Sequence, residues 1–194
     1  MKKDIILSGV GGQGILSIAT VIGTAALAEG LQLKQAEVHG MSQRGGDVQS
    51  NLRISSEPVA SDLIPRGEAD IIISLEPMEA LRYLPYLSKE GWIITNTTPF
   101  VNIDNYPDTE AIMAELKGMK NVILIDVDAI AAAEGSPRVA NIVLLGAAVP
   151  FLGLGLDKFE QGIRAIFGRK GDEVVEANIK ALKAGWDYAQ KNRK

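Results

Sequence analysis

The stretch that decides the fold is Asp4-Ile5-Ile6-Leu7-Ser8-Gly9-Val10-Gly11-Gly12-Gln13-Gly14-Ile15-Leu16. The apolar run from Asp4 to Ser8 suits a buried strand, and the glycines after it suit a sharp turn. From about Gly12 to Glu29 the apolar residues Ile15, Ile18, Ala19, Ile22 and Ala26 fit a deeply packed helix. Gly9-Val10-Gly11-Gly12-Gln13-Gly14 is therefore a GxGxxG sequence set between strand and helix, the context in which the motif has physical meaning.

The same residues superficially mimic a secretion signal, with Lys2, Lys3, an apolar stretch and Ala26-Leu27-Ala28. Asp4, Gln13 and the interspersed glycines interrupt that stretch, so strand, loop and helix are the better reading. No run reaches the roughly 18 apolar residues of a membrane span.

Working outward, further strand-like runs occur at Ala69 to Leu75, Gly91 to Asn96 and Asn121 to Asp126, with helix-length patterns separating most of them. This alternation predicts an α/β fold: a Rossmann-like three-layer sandwich with a mostly parallel sheet and helices on both faces. Leu31 to Val38 and Asp47 to Ile54 flank a glycine-rich turn and suit either a second layer of strands or an antiparallel edge. Ser136-Pro137 reads as a helix start, and Asp157 with Glu160 as a capping box. From Glu173 onward Val175, Ile179, Leu182, Trp186 and Ala189 trace one face of an amphipathic helix. With 194 residues and neither repeat nor low-complexity linker, residues 1–194 are expected to form a single domain.

Composition narrows the function. A formal charge of −4 and the absence of a basic face argue against nucleic acid. The basic tail Lys191 to Lys194 reads as a solvated helix end. No cysteine occurs, which excludes thiolate zinc sites and iron–sulfur clusters held by this chain. Cytoplasmic location is compatible with that composition.

Within the glycine loop, Gly9, Gly11, Gly12, Gln13 and Gly14 could let an anionic group approach the backbone at a helix N-terminus. Equally, the glycines could only allow the helix to pack closely on the sheet, and both readings stay open here. A dinucleotide would also want an acidic residue about 20 positions onward to hold its ribose, for which Glu37 is the candidate. The segment His39-Gly40-Met41-Ser42-Gln43-Arg44-Gly45-Gly46 gathers the single histidine, an arginine and three glycines, enough to present donors to an anion or a partner chain, or simply a solvated turn. Glu76 and Glu79 follow a strand end where α/β ligand sites gather, yet they flank Pro77 as first-turn glutamates of a helix would; Asp126 and Asp128 resemble a catalytic or metal-binding carboxylate pair, yet read better as capping residues.

The pairing of Gly9 to Gly14 with His39 to Gly46 resembles the gamma-type domain of 2-oxoacid:ferredoxin oxidoreductases. In its His39-Gly40-Met41 form the second motif resembles the beta subunit of the indolepyruvate type more than pyruvate or 2-oxoglutarate relatives. Asn141 to Ala147 is similar to that family's later helix. The resemblance spans most of the chain and implies a small subunit in a CoA-dependent oxidative decarboxylation of an aryl 2-oxoacid. It implies a large partner subunit carrying thiamine diphosphate and 4Fe-4S clusters, ferredoxin as acceptor, CoA as co-substrate, and no cofactor held by this chain alone. No Gly-Asp-Gly followed by Asn-Asn, as a thiamine site would carry, is present. The glycine loop would then take an anion such as part of CoA. His39, Met41, Ser42, Gln43, Arg44, Gly45, Gly46 and Asn141 would face the partner or the active-site entrance. No membrane is implied, and without its partner the chain could pair with itself. Other 2-oxoacids, or a stand-alone nucleotide-binding module, are the alternatives.

Overall fold

The structure, a computed structural model, describes residues 1–40 and 45–193. Its centre is strand β1 (Lys2–Val10), whose residues from Asp4 to Val10 are all buried, followed by helix α1 (Ile15–Ala28). The expected helix thus begins at Ile15, because the last loop glycine, Gly14, occupies its N-cap at φ 89°. Strands β2 (Gln32–His39) and β3 (Asp47–Ser55) form an antiparallel pair, and β3 also runs antiparallel along β1. Of the two arrangements foreseen for this pair, the antiparallel edge of one sheet is the one observed. On the other side of β1 lie β4 (Ala69–Ser74), β5 (Leu87–Asn96) and β6 (Val122–Ile125), all parallel, giving the order β2-β3-β1-β4-β5-β6.

Both sheet faces are covered. Alternate residues point to opposite sides of a strand, and the core divides accordingly. Ile5, Leu7, Ile71, Ile73 and Ile94 join one apolar cluster, whereas Ile6, Ile72 and Ile93 join the other. The first cluster packs against α1, α4 (Val127–Ala133), α5 (Ala140–Leu152), α6 (Leu156–Phe167) and α7 (Asp172–Asn192). The second packs against α2 (Pro77–Arg82) and α3 (Thr109–Lys117). This two-sided burial is why the parallel strands read as unbroken apolar runs.

Helix α5 is apolar on every side and runs against α7 so closely that a Cβ at Gly146 would collide with the Leu182 carbonyl, and one at Gly185 with the Val143 carbonyl. The amphipathic reading of α7 holds, with Val175, Ile179, Leu182 and Ala189 buried. Two capping expectations do not. The Ser136 side chain makes no cap bond, and Pro137 instead opens a 3-10 turn, Pro137–Val139, that leads into α5. The N-cap of α6 is Gly155, which puts Asp157 two residues too far in for a capping box, and Glu160 pairs with Lys183 instead.

Candidate functional site

The carboxyl ends of the parallel strands share one edge of the sheet, the place where open α/β sheets gather ligands. A crevice of about 430 Å³ opens there, lined by the Gly12-Gln13-Gly14 turn, Leu75 after β4, Asn96 at the end of β5, and Arg138 and Asn141 before and within α5. A neighbouring cavity of about 510 Å³ shares Arg138 and Asn141 and adds Ser17, Phe167, Lys170 and Asn178.

Backbone and side-chain hydrogen bonds set the shape of the glycine loop. Gln13 Oε1 accepts from Val10 N at 2.7 Å and Gln13 Nε2 donates to the Leu75 carbonyl at 3.2 Å, so this side chain staples the loop across β1 and β4. Asn141 Nδ2 donates to the Gly14 carbonyl at 3.2 Å. Gly14 must be glycine on two counts: its left-handed backbone, and a Cβ there would sit 2.7 Å from Asn141 Nδ2. Asn141, picked out of the sequence with the second motif, is thus brought against the first.

The two motifs meet directly. Gly11 N donates to the Gly46 carbonyl at 2.8 Å, and Gly45 N to the Gly11 carbonyl at 3.3 Å. His39 is exposed, 3.2 Å from Glu37 through its Nε2, and borders a small apolar hollow beside Gly11 and Gly12. Met41, Ser42, Gln43 and Arg44 lie outside the described residues.

Glu37 does not stand where a ribose would need it. In a dinucleotide fold the strand after the first helix pairs in parallel with the first strand, but here β3 intervenes antiparallel and carries β2 to the sheet edge. Glu37 spends its oxygens on Gln35 and His39. Asp126 caps α4 by accepting from Ala129 N at 2.9 Å, and Asp128 accepts from Asn96 Nδ2 at 3.1 Å. Among the described residues no group of three or more His, Cys, Asp or Glu side chains could hold a metal ion. With no cysteine in the sequence, the residues present do not fit an iron–sulfur cluster. No helix among them is long and apolar enough to cross a membrane.

The crevice lining carries one cation, Arg138, and one carboxylate, Asp128, which is held by Asn96. Helices α2, α3 and α4 are capped by the side chains of Glu76, Asp108 and Asp126, whereas neither α1 nor the 3-10 turn leading into α5 has a side-chain cap. Of the N–H groups there, Ser17 N is spent on the Gly14 carbonyl and Val139 N on the Ser136 carbonyl, so what these starts bring to this edge is chiefly the positive ends of the helix dipoles. Arg138 lies beside them and forms no ion pair among the described residues. Sequence reasoning missed Arg138 and Asn96. The signal for Asn96 was its place at the end of a parallel strand.

The far wall is the irregular segment 97–108 between β5 and α3, of which Thr98, Pro99 and Phe100 line the crevice. Its anchor is Glu76, fully buried, whose carboxylate accepts from Glu79 N at 2.8 Å, Phe100 N at 3.3 Å and the Tyr106 hydroxyl. Burial, with the Glu76 hydrogen bond next, pushes the Tyr106 hydroxyl well above the usual phenol range, so it stays protonated and donates. Asn102 Nδ2 donates to the Gly45 carbonyl, joining this wall to the second motif.

A mostly parallel sheet with a glycine turn and a crevice at its carboxyl edge defines a Rossmann-like α/β domain. The chain belongs to the pyruvate ferredoxin/flavodoxin oxidoreductase family, whose pattern it matches over residues 4–188. It is 37% identical over 202 aligned residues to the indolepyruvate oxidoreductase subunit IorB of Archaeoglobus fulgidus, a match covering 100% of this chain and 98% of that one. Its fold is similar to the keto/oxoacid ferredoxin oxidoreductase gamma subunit of Geobacter sulfurreducens, with TM-score 0.72 and 25% identity over 97% and 99% of the two chains. It also matches 2-oxoglutarate:ferredoxin oxidoreductase of Magnetococcus marinus, solved with 2-oxoglutarate, coenzyme A and succinyl-CoA bound. There the TM-score is 0.78 at 22% identity, and the match covers 100% of this chain but 32% of that chain.

Proposed function

We propose that the chain is the small subunit of an indolepyruvate, or related aryl 2-oxoacid, ferredoxin oxidoreductase, supporting CoA-dependent oxidative decarboxylation by a larger catalytic subunit. The observation that carries this reading is the end-to-end identity with an indolepyruvate oxidoreductase subunit of nearly the same length. The residues support a division of labour. With no cysteine in the sequence and no metal-ligand cluster among the described residues, this reading gives thiamine diphosphate chemistry and electron transfer through 4Fe-4S clusters to the partner, and expects no turnover from this chain alone. The complex meets CoA and ferredoxin in the cytoplasm, where we place it.

Its own contribution is to hold an anion. The N-termini of α1 and α5, Gly12 to Gly14 and Arg138 converge on the crevice beside Asp128, and the adjoining cavity adds Lys170 and Glu173. An elongated phosphorylated group such as part of CoA suits the two connected hollows, with phosphate at the helix starts and Arg138. His39 borders the hollow beside Gly11 and Gly12, and Gly45 and Gly46 bond to Gly11, so in this reading the partner or the active-site entrance would meet them there.

The test is co-expression with a candidate large subunit, followed by an anaerobic assay of CoA-dependent reduction of ferredoxin or a viologen dye. Indolepyruvate should support turnover only when both chains are present. Preference for pyruvate, 2-oxoisovalerate or 2-oxoglutarate would move the assignment to another 2-oxoacid. Two folded chains that never associate would leave a stand-alone nucleotide-binding module.

A further inference from the structure

Helix α2 is short, yet hydrogen bonds run from both its ends, to the crevice wall on one side and to the second motif on the other. At its start the fully buried Glu76 holds Phe100 N and the Tyr106 hydroxyl of segment 97–108. At its end Tyr83, the residue after Arg82, donates its hydroxyl to Asp47 Oδ2 at 3.0 Å. Asp47 opens β3 immediately after Gly46, so this bond lands at the foot of the second motif. The wall and the motif also bond to each other, through Asn102 Nδ2 and the Gly45 carbonyl. Tyr83, Asp47, Gly45, Asn102, Phe100 and Glu76 thus lie on one closed ring of links, with α2 as a strut about 10 Å long.

The neck of the second motif needs such a tie. Gly40 N donates to the Asp47 carbonyl at 3.1 Å, Gly11 N to the Gly46 carbonyl at 2.8 Å and Gly45 N to the Gly11 carbonyl at 3.3 Å. Gly40, Gly45 and Gly46 have no side chains with which to fix that neck, and glycine backbone reorients readily. Asp47 supplies a side chain that joins it to a packed element. The Tyr83 ring is only 7% exposed and packs in the cluster of Ile6, Ile72 and Ala80, so its hydroxyl is delivered at a fixed place. Burial, followed by the Asp47 charge, raises the Tyr83 pKa, so the hydroxyl stays protonated and donates. Asp47, by contrast, is exposed. A hydrogen bond to an exposed carboxylate adds little to overall stability, because water replaces it when it breaks, and packing alone would be served by Phe. What the hydroxyl adds is position: the packed ring is fixed, and the exposed Asp47 is the partner that the bond sets in place.

We infer that Tyr83, acting through Asp47, is a positioning residue for the second motif: the bond sets the neck from Gly40 to Asp47 against the glycine turn and couples it, through α2, to the crevice wall that Glu76 holds. Its bearing on turnover rests on the function proposed above. Its bearing on the neck does not.

Tyr83→Phe removes one oxygen and keeps the packed ring. In the full chain, amide exchange at Gly11, Gly40 and Gly45 should accelerate about tenfold, while Ile6 and Leu52, fully buried in the sheet, keep their rates. Asp47→Ala should reproduce this, and Asp47→Asn, whose side-chain oxygen can still accept from Tyr83, should not. Co-expressed with the large subunit, Tyr83→Phe should lower kcat/KM about tenfold, and Asp47→Asn should leave it within about twofold of wild type. Unchanged exchange at the three glycines, or Ile6 and Leu52 accelerating by the same factor, would overturn the inference, since Tyr83 would then be a packing residue only. A loosened neck with wild-type kcat/KM would overturn its role in turnover. A wild-type complex without oxidoreductase activity, in a chain whose neck loosens as expected, would remove the proposed function and leave the positioning of the neck standing.

Discussion

The α5–α7 contact and the crevice end are built on opposite terms. Between α5 and α7 backbone meets backbone, Gly146 and Gly185 leave no room even for a methyl group, and Val143, Ala147, Val175, Ile179 and Leu182 are buried by the chain's own residues. At the crevice end the same chain leaves helix starts uncapped, apolar side chains in water and an unpaired arginine among the described residues. One region is completed by folding; the other is shaped by folding and left open. Substitutions should separate the two, changing stability in the first and affinity in the second.

The largest effect is expected at the helix contact. Gly146→Ala puts a methyl group into the Leu182 carbonyl, and neither helix can move without disturbing the core around it. Overpacking of this kind costs about 3 kcal/mol, at the upper end of its usual range. For a chain of this size that lowers the melting temperature by roughly 6–12 °C. Thermal melts of the isolated chain measure it directly, and an unchanged midpoint would mean that the helices separate freely and that the contrast drawn here is false.

Next comes the anchor of the crevice wall, where the two regions' terms mix. Glu76→Gln turns an acceptor of three hydrogen bonds into a group that must also find an acceptor for its own N–H, at a fully buried position. A loss of about 2 kcal/mol is expected, together with faster amide exchange at Phe100. Melts and hydrogen exchange report the two parts separately. If stability falls but Phe100 exchange does not change, Glu76 is only a helix cap.

At the crevice itself, Arg138→Ala should leave the melting temperature within the range of ordinary surface substitutions and weaken binding of inorganic pyrophosphate or CoA to the assembled complex about tenfold at low salt. Because Arg138 is exposed, the difference should shrink as salt is added. Equal affinities for wild type and variant at low salt would take the anion away from this end of α5.

Which of these features could be read from the sequence depended on whether the signal was local. Strand β1, its glycine turn and α1 were legible because apolar periodicity and glycine placement act within one short segment. That Leu31 to Val38 and Asp47 to Ile54 are strands was also legible, but their insertion beside β1 was not. An antiparallel neighbour is chosen by distant contacts that leave no periodic mark, and the Glu37 assignment failed for that reason. The junction of the two motifs runs through Gly11, Gly45 and Gly46 backbone atoms, which carry no side-chain signature at all. Arg138 was hidden behind its neighbours Ser136 and Pro137, which announced a helix start and drew attention to capping. Glu76 announced a helix start too, correctly, yet its bonds to Phe100 and Tyr106 reach across 24 and 30 residues of chain.

Glu79 offers the finest test of how the crevice wall is held. It is buried at the start of α2, paired with Arg82 at 2.8 Å, and near Asp47 and Glu76. Burial is the dominant influence and raises its pKa; the Arg82 hydrogen bond and charge pull it down, and the charges of Asp47 and Glu76 push it up again, for a net rise. The Tyr83 and Tyr106 hydroxyls facing the same cluster are both pushed high and stay neutral across the acid range. A carboxyl whose folded pKa is raised keeps its proton to higher pH in the native state than in the unfolded chain. In the window just above the ordinary glutamate value the native state therefore binds more protons, and this group's contribution to stability falls as pH rises. Relative to wild type, Glu79→Gln should lose that downward component, so the difference between the two urea midpoints should drift in favour of the variant as pH climbs through the window and then level off. A drift of the opposite sign would show that Arg82, although half exposed, outweighs burial, and that the α2 end of the wall is held by an ion pair rather than by a buried acid.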